Sequence, residues 1–173
     1  NFPDIEKVLG DPQFTLDPPT SNSNGAFSYT SSDVNVATVD TQTGLVTILA
    51  IGTTTITAAP TNTTNYDASI TTSATFTVTQ ITPTYGTFTI PTKTYGDAAF
   101  TITAPTTNVV GGLTYTSSNT NVADISGSNI LIKSVGTVNI TATQSASNNY
   151  LEGTKTITLT INPVVPLITN FLP

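Results

Sequence analysis

The stretch TYTSSNTNVADI at residues 114–125 repeats YTSSDVNVATV at residues 29–39. The match runs on in both directions. Gly10-Asp11 and Gly96-Asp97 stand 86 residues apart, as do Phe14 and Phe100, and Tyr29 and Tyr115. After a two-residue deletion the spacing becomes 84, and Gly52, Ile56 and Tyr66 then match Gly136, Ile140 and Tyr150. A period of this length is too long for a solenoid unit and right for a small self-contained domain. The 173 residues therefore divide into a first repeat over 1–82, a second over 83–163, and a short tail over 164–173.

Hydrophobic alternation with period two fills both repeats. Val138, Ile140 and Ala142 alternate with Asn139 and Thr141, and Ile157, Leu159 and Ile161 alternate with Thr158 and Thr160. In the first repeat Phe14 and Leu16, Val46 and Ile48, Ile56 and Ala58, and Phe76 and Val78 do the same. Such runs are half-buried strands, one face in a core and the other in water. Clusters of Ser, Asn and Gly separate them, at residues 21–25, 40–44, 126–129 and 146–149. About seven short strands per repeat predict two antiparallel β-sandwiches in an all-β chain. Pro83 and Pro163 mark where the last strand of each repeat stops, because Pro cannot donate to a ladder.

Composition excludes several chemistries. The chain has no Cys and no His, and its four basic residues are all Lys. Disulfides, thiolate chemistry and the commonest general base and metal ligand are therefore absent. The net charge of −6 sits in the first repeat, since the second balances Lys93, Lys133 and Lys155 against Asp97, Asp124 and Glu152. No basic stripe is available for a phosphate backbone, so nucleic acid is not an expected partner. No run of about 20 apolar residues exists to insert in a membrane. Acidic residues are too few and scattered for a paired-carboxylate site, and the chain is expected not to be an enzyme.

The segments KTYGDAAFTIT (93–103), LTYTSSNTNVADI (113–125) and GTVNITATQ (136–144), with the first-repeat segments KVLGDPQFTL (7–16) and FSYTSSDVNVATV (27–39), resemble bacterial immunoglobulin-like repeats of the Big2 type. The variant they resemble opens on Tyr-Gly-Asp, and Leu9 replaces that Tyr in the first repeat. The resemblance implies tandem immunoglobulin-like sandwiches outside the cell, on a cell surface or on a virion. It implies a spacer or stalk role, as in surface adhesins. Two other functions stay open: an adhesion module for a host glycan or surface protein, and a fibre subunit joined head to tail to identical subunits by a terminal strand.

The tail repeats an opening strand, since Phe2, Phe88 and Phe171 recur and Asn1-Phe2 returns as Asn170-Phe171. It reads as the start of a following repeat or as a strand given to the next subunit, with Ile168, Phe171 and Leu172 as the assembly residues. The remaining candidates are few. Asp11 and Asp97 offer hard oxygen ligands for Ca²⁺, although a Gly-Asp turn at Gly10 and Gly96 is the simpler structural reading. Tyr66 and Tyr150 are expected to lock a loop to the core in the manner of a tyrosine corner. Asn62 and Asn139 fit the N-glycosylation pattern.

Overall fold

The computed structural model describes residues 2–61, 63–64 and 70–167, and the chain falls into two compact units, Asn1–Ile81 and Thr82–Pro173. The first contains β1 (Ile5–Val8), β2 (Phe14–Thr15), β3 (Phe27–Ser31), β4 (Ala37–Val39), β5 (Leu45–Ile48), β6 (Gly52–Pro60) and β7 (Thr72–Thr79). The second repeats the series as β8 (Lys93–Thr94), β9 (Phe100–Thr101), β10 (Thr114–Ser117), β11 (Ala123–Ser126), β12 (Asn129–Ile132), β13 (Gly136–Gln144) and β14 (Gly153–Asn162). Among the described residues there is no helix.

Each unit is a sandwich of a four-stranded and a three-stranded sheet. In the first the orders are β1-β7-β6-β3 and β2-β5-β4, and in the second they are β8-β14-β13-β10 and β9-β12-β11. Strand alternation dictates which side chains meet between the sheets. Along β13, Val138, Ile140 and Ala142 are buried, the intervening Asn139 is exposed and the intervening Thr141 is half-buried. The outward Thr residues keep the β-branched stiffness that suits a strand while leaving the surface polar and almost uncharged.

The core of the first unit joins both sheets, with Ile56, Phe76 and Val78 from one and Leu16, Ala37 and Val46 from the other. The second core repeats it with Ile140, Leu159 and Ile161 against Ile102, Ala123 and Ile130. Full burial of each large aliphatic or Phe side chain is worth about 1.5–3 kcal/mol, which is what holds units of this size without disulfides.

One pair in each sandwich departs from antiparallel pairing. β1 runs parallel to β7, Ile5 facing Phe76 and Val8 facing Thr79, and β8 runs parallel to β14, Lys93 facing Ile161. The first strand of each unit thus lies beside the last, and the chain then crosses to the other sheet at Gly10-Asp11 or Gly96-Asp97. Residue 91 explains why β8 is shorter than β1. Counting from the shared Gly-Asp, Pro91 occupies the place of Ile5, and it has no N–H for the ladder.

Candidate functional site

The crossing between sheets is built alike in both units. At the first, the Asp11 N–H donates to the Val8 carbonyl at 3.0 Å, and the Val8 N–H donates to Asp11 Oδ2 at 3.0 Å. At the second, the Asp97 N–H donates to the Thr94 carbonyl and the Thr94 N–H to Asp97 Oδ2, both at 3.0 Å. Gly10 and Gly96 have φ of 93° and 94°, the positive value that the third position of this turn requires. The carboxylates at the two candidate calcium positions therefore each have one oxygen on a backbone N–H. Asp4, a further carboxylate of the first repeat, accepts from the Thr75 N–H at 2.7 Å. Among the described residues no three acidic side chains gather closely enough to hold a metal ion.

Beside each turn lies a contact that sequence reading missed. Lys7 Nζ sits 4.8 Å from the centroid of the Phe14 ring, and Lys93 Nζ sits 4.4 Å from that of Phe100. The ammonium over the ring face ties β1 to β2, and β8 to β9, across the gap between the sheets. The signal was available, because both Lys and both Phe recur at a spacing of 86.

The second unit carries a further device at the end where β10, β13 and the segment before β14 meet. Residues 82–86, TPTYG, run in extended form ahead of the sandwich. The Thr84 N–H donates to Asn108 Oδ1 at 2.8 Å, and Asn108 Nδ2 donates to the Thr82 carbonyl at 3.2 Å. The Gly86 N–H donates to the Thr106 carbonyl at 2.8 Å, and Tyr85 pairs antiparallel with Thr107. Gly153 makes room for this segment. A Cβ there would lie 2.8 Å from Pro83 Cβ and 2.9 Å from the Tyr85 hydroxyl.

The first unit has a cleft of about 300 Å³ at its own corresponding end. Thr20, Ser21 and Asn22 form one wall, Phe27 and Pro60 lie along it, and Ile70 to Thr72 form the other. Its lining is neutral, hydroxyl and amide groups above an aromatic and a prolyl surface.

Two carboxylates titrate low. Hydrogen bonds from the Thr43 N–H, the Thr43 hydroxyl and the Gln42 N–H hold Asp40 below the usual carboxylate range. The Lys133 ammonium, 2.6 Å from Asp124, does the same there. Burial raises the Tyr29 and Tyr115 phenols. Asp40 organises the turn between β4 and β5, and Asp124 joins β11 to the residue after β12, so both belong to the rim of a sandwich.

Of the other predicted positions, Asn139 lies mid-strand in β13 with an exposed side chain, and its Oδ1 accepts from the Thr158 hydroxyl at 3.0 Å. Tyr150 is half-buried beside Ser147, whose N–H donates to the Tyr150 carbonyl at 2.9 Å. Asn62, Tyr66, Ile168, Phe171 and Leu172 lie outside the described residues. Just ahead of the last three, Val164, Val165 and Leu167 are 55%, 86% and 86% exposed.

Residues 13–72 match the family model described as bacterial Ig-like domain (group 2). No curated protein matches the chain. Among solved structures, domains 1–6 of the surface layer protein SbsC are 17% identical with a TM-score of 0.35, the match covering 82% of this chain and 20% of that one. The chain thus spans about a fifth of the length of that protein. Human protocadherin-24 EC1-2 is 14% identical with a TM-score of 0.38, covering 95% and 94%. A SusE-like surface located polysaccharide binding protein from Bacteroides thetaiotaomicron is 16% identical with a TM-score of 0.34, covering 93% and 33%.

Proposed function

We propose, from a first repeat that belongs to the group 2 bacterial Ig-like domains and a second that repeats its seven strands in order, that this chain is a structural spacer. It extends and stiffens a fibre or adhesin outside the cell or on a virion surface. The observation that carries this reading is duplication of the framework rather than of any reactive group. Turn, cation–π contact and sheet order recur in both repeats, and each recurring part is a tie between strands. Its partners are neighbouring Ig-like repeats or identical subunits, and the reading assigns it no catalytic step and no cofactor.

Force spectroscopy on the single chain tests the proposal. A spacer gives two discrete unfolding events, each releasing about 28 nm at ~3.5 Å per extended residue. A chain that extends smoothly, with no force peaks, sinks it. The second reading is a module that adheres to a glycan or surface protein. One observation favours it: all the net charge of −6 resides in the first repeat, so the two repeats present different surfaces. Saturable binding to a glycan or protein panel that survives replacement of repeat 2 by a second copy of repeat 1 favours that module.

A further inference from the structure

Asn24-Gly25 is the one place in the chain where Gly follows Asn. The pair lies in the loop between β2 and β3, outside any ladder, and Asn24 is exposed. The bonds of this loop run through its neighbours. The Ser23 N–H donates to the Ser21 hydroxyl at 3.0 Å, and the Gly25 N–H donates to the Ser23 hydroxyl at 3.1 Å. Among the described residues the Asn24 amide takes no part in them. The side-chain carbonyl carbon of an Asn and the backbone nitrogen of the next residue can close a succinimide ring. A bulky next residue hinders that closure, because a branched Cβ crowds the nitrogen and stiffens the backbone. Asn35, Asn108, Asn121, Asn129 and Asn139 are each followed by Val or Ile. Asn24 is followed by the residue that hinders least.

Packing explains why that residue is Gly. A Cβ on Gly25 would lie 2.7 Å from the Thr61 carbonyl oxygen. The backbones come this close because the Thr61 N–H and hydroxyl both donate to the Ala26 carbonyl, at 2.7 and 3.0 Å. The glycine is thus required by the fold, and the residue ahead of it is free to vary. The second repeat keeps the glycine as Gly111 and sets Val110 before it, 84% exposed. Val110 has no amide to react.

We propose that Asn24 is a self-modification site, converted in the folded chain to isoaspartate and aspartate. The Gly25 nitrogen loses its proton to hydroxide and bonds to Asn24 Cγ. The bond from Cγ to the side-chain nitrogen breaks, and ammonia leaves with a proton from water. Water then opens the succinimide. Opening at the backbone carbonyl leaves isoaspartate, and opening at the side-chain carbonyl leaves aspartate. Either product adds one negative charge to the repeat that already holds the whole −6. Isoaspartate also lengthens the backbone by one carbon, just ahead of the Ala26 carbonyl that Thr61 grips. The first repeat therefore ages by its own chemistry at a loop where the second does not. This goes beyond the spacer reading and stands independently of it.

Incubation of the full chain in neutral buffer, with peptide mapping by mass spectrometry over time, tests the proposal. The expected result is a gain of one mass unit in the peptide that holds Asn24, part of which accepts a methyl group from an isoaspartyl methyltransferase. The rate should lie no more than about tenfold below that of the same chain in guanidinium chloride, the cost of freeing one net hydrogen bond at the Gly25 N–H. Asn24→Gln, whose longer side chain closes a larger and slower ring, should lose the gain at that peptide. The substituted side chain is exposed, and a circular dichroism melt that matches the wild type shows that the variant is folded. A folded chain that gains no mass at Asn24 overturns the proposal, whatever the denatured sample does. A gain that yields aspartate alone, with no methyl acceptance, also overturns it, since direct hydrolysis needs no help from Gly25.

Discussion

The hairpin from β4 to β5 and its counterpart from β11 to β12 do the same work with different lengths. Six residues separate the facing pair Val39 and Val46, and four separate Ile125 and Ile130. This is where the spacing between repeats drops from 86 to 84. The change is an even number, and evenness is what the sandwich demands. Side chains alternate faces along a strand, so a difference of two keeps Val46 and Ile130 on the inner face, and both are fully buried. The longer loop is closed by Asp40 and its three hydrogen bonds. The shorter one turns on Gly127 at φ 60°, and an ion pair between Asp124 and Lys133 braces the strands beside it. The core tolerates no substitution of role, whereas the rim reaches one geometry by two chemistries.

The strongest way to test this equivalence is to cut the same hole in both cores. Ile56 and Ile140 occupy matched positions with no exposed surface. Replacing either with Ala should cost about 2–5 kcal/mol, with similar losses in the two repeats, as read from urea unfolding of each variant. A loss in one repeat only would break the comparison.

A smaller effect should distinguish the repeats. Gly52 and Gly136 both have φ near +140°, where any Cβ is strained. A Cβ at Gly52 would also lie 2.9 Å from Val36 Cγ2, whereas at Gly136 the nearest Val122 atom is 3.6 Å away. Gly52→Ala should therefore destabilise by about 1–3 kcal/mol, and Gly136→Ala by less. Thermal melts of the pair would settle the order. Below these in size comes the cation–π contact. Lys7→Ala and Lys93→Ala should each cost about 0.5–1 kcal/mol, and equal values support the shared corner.

Acid should expose the two rim chemistries. Asp40 and Asp124 both titrate below their ordinary value in the fold. Their stabilisation is present above the unfolded carboxylate range and is lost as pH falls through the lowered folded value. Asp40→Asn and Lys133→Ala should each flatten part of the acid limb of a pH–stability curve, in the first and second repeat respectively. Addition or removal of calcium is expected to have the least effect. With Asp11 and Asp97 each turned onto a backbone N–H, melting temperature should stay the same in calcium and in chelator.

Much of the fold was legible because it depends on short-range periodicity. Alternation such as that of Val138, Ile140 and Ala142 names the strand and its inner face together, and seven strands per repeat follow. The Gly-Asp turn was legible too, since only a glycine accepts the positive φ there and the following Asp reaches back to the chain. The parallel pairing of β1 with β7 was not, because alternation carries no direction. The clasp at Asn108 and the contact of Lys7 with Phe14 also escaped. They join residues far apart in the chain, and only recurrence of Asn22 with Asn108, and of Lys7 with Lys93, hints that these side chains act with others.

The parallel placement of each first strand beside each last strand has a mechanical consequence. When the two ends of a repeat are pulled apart, β1 and β7 slide along each other, and their ladder is loaded in shear. All its hydrogen bonds then resist together instead of opening one by one as in a zipper. Four residue pairs share that load in the first repeat and two in the second, where Pro91 shortens the strand. Under tension the second repeat is therefore the fuse, yielding at lower force and sparing the first.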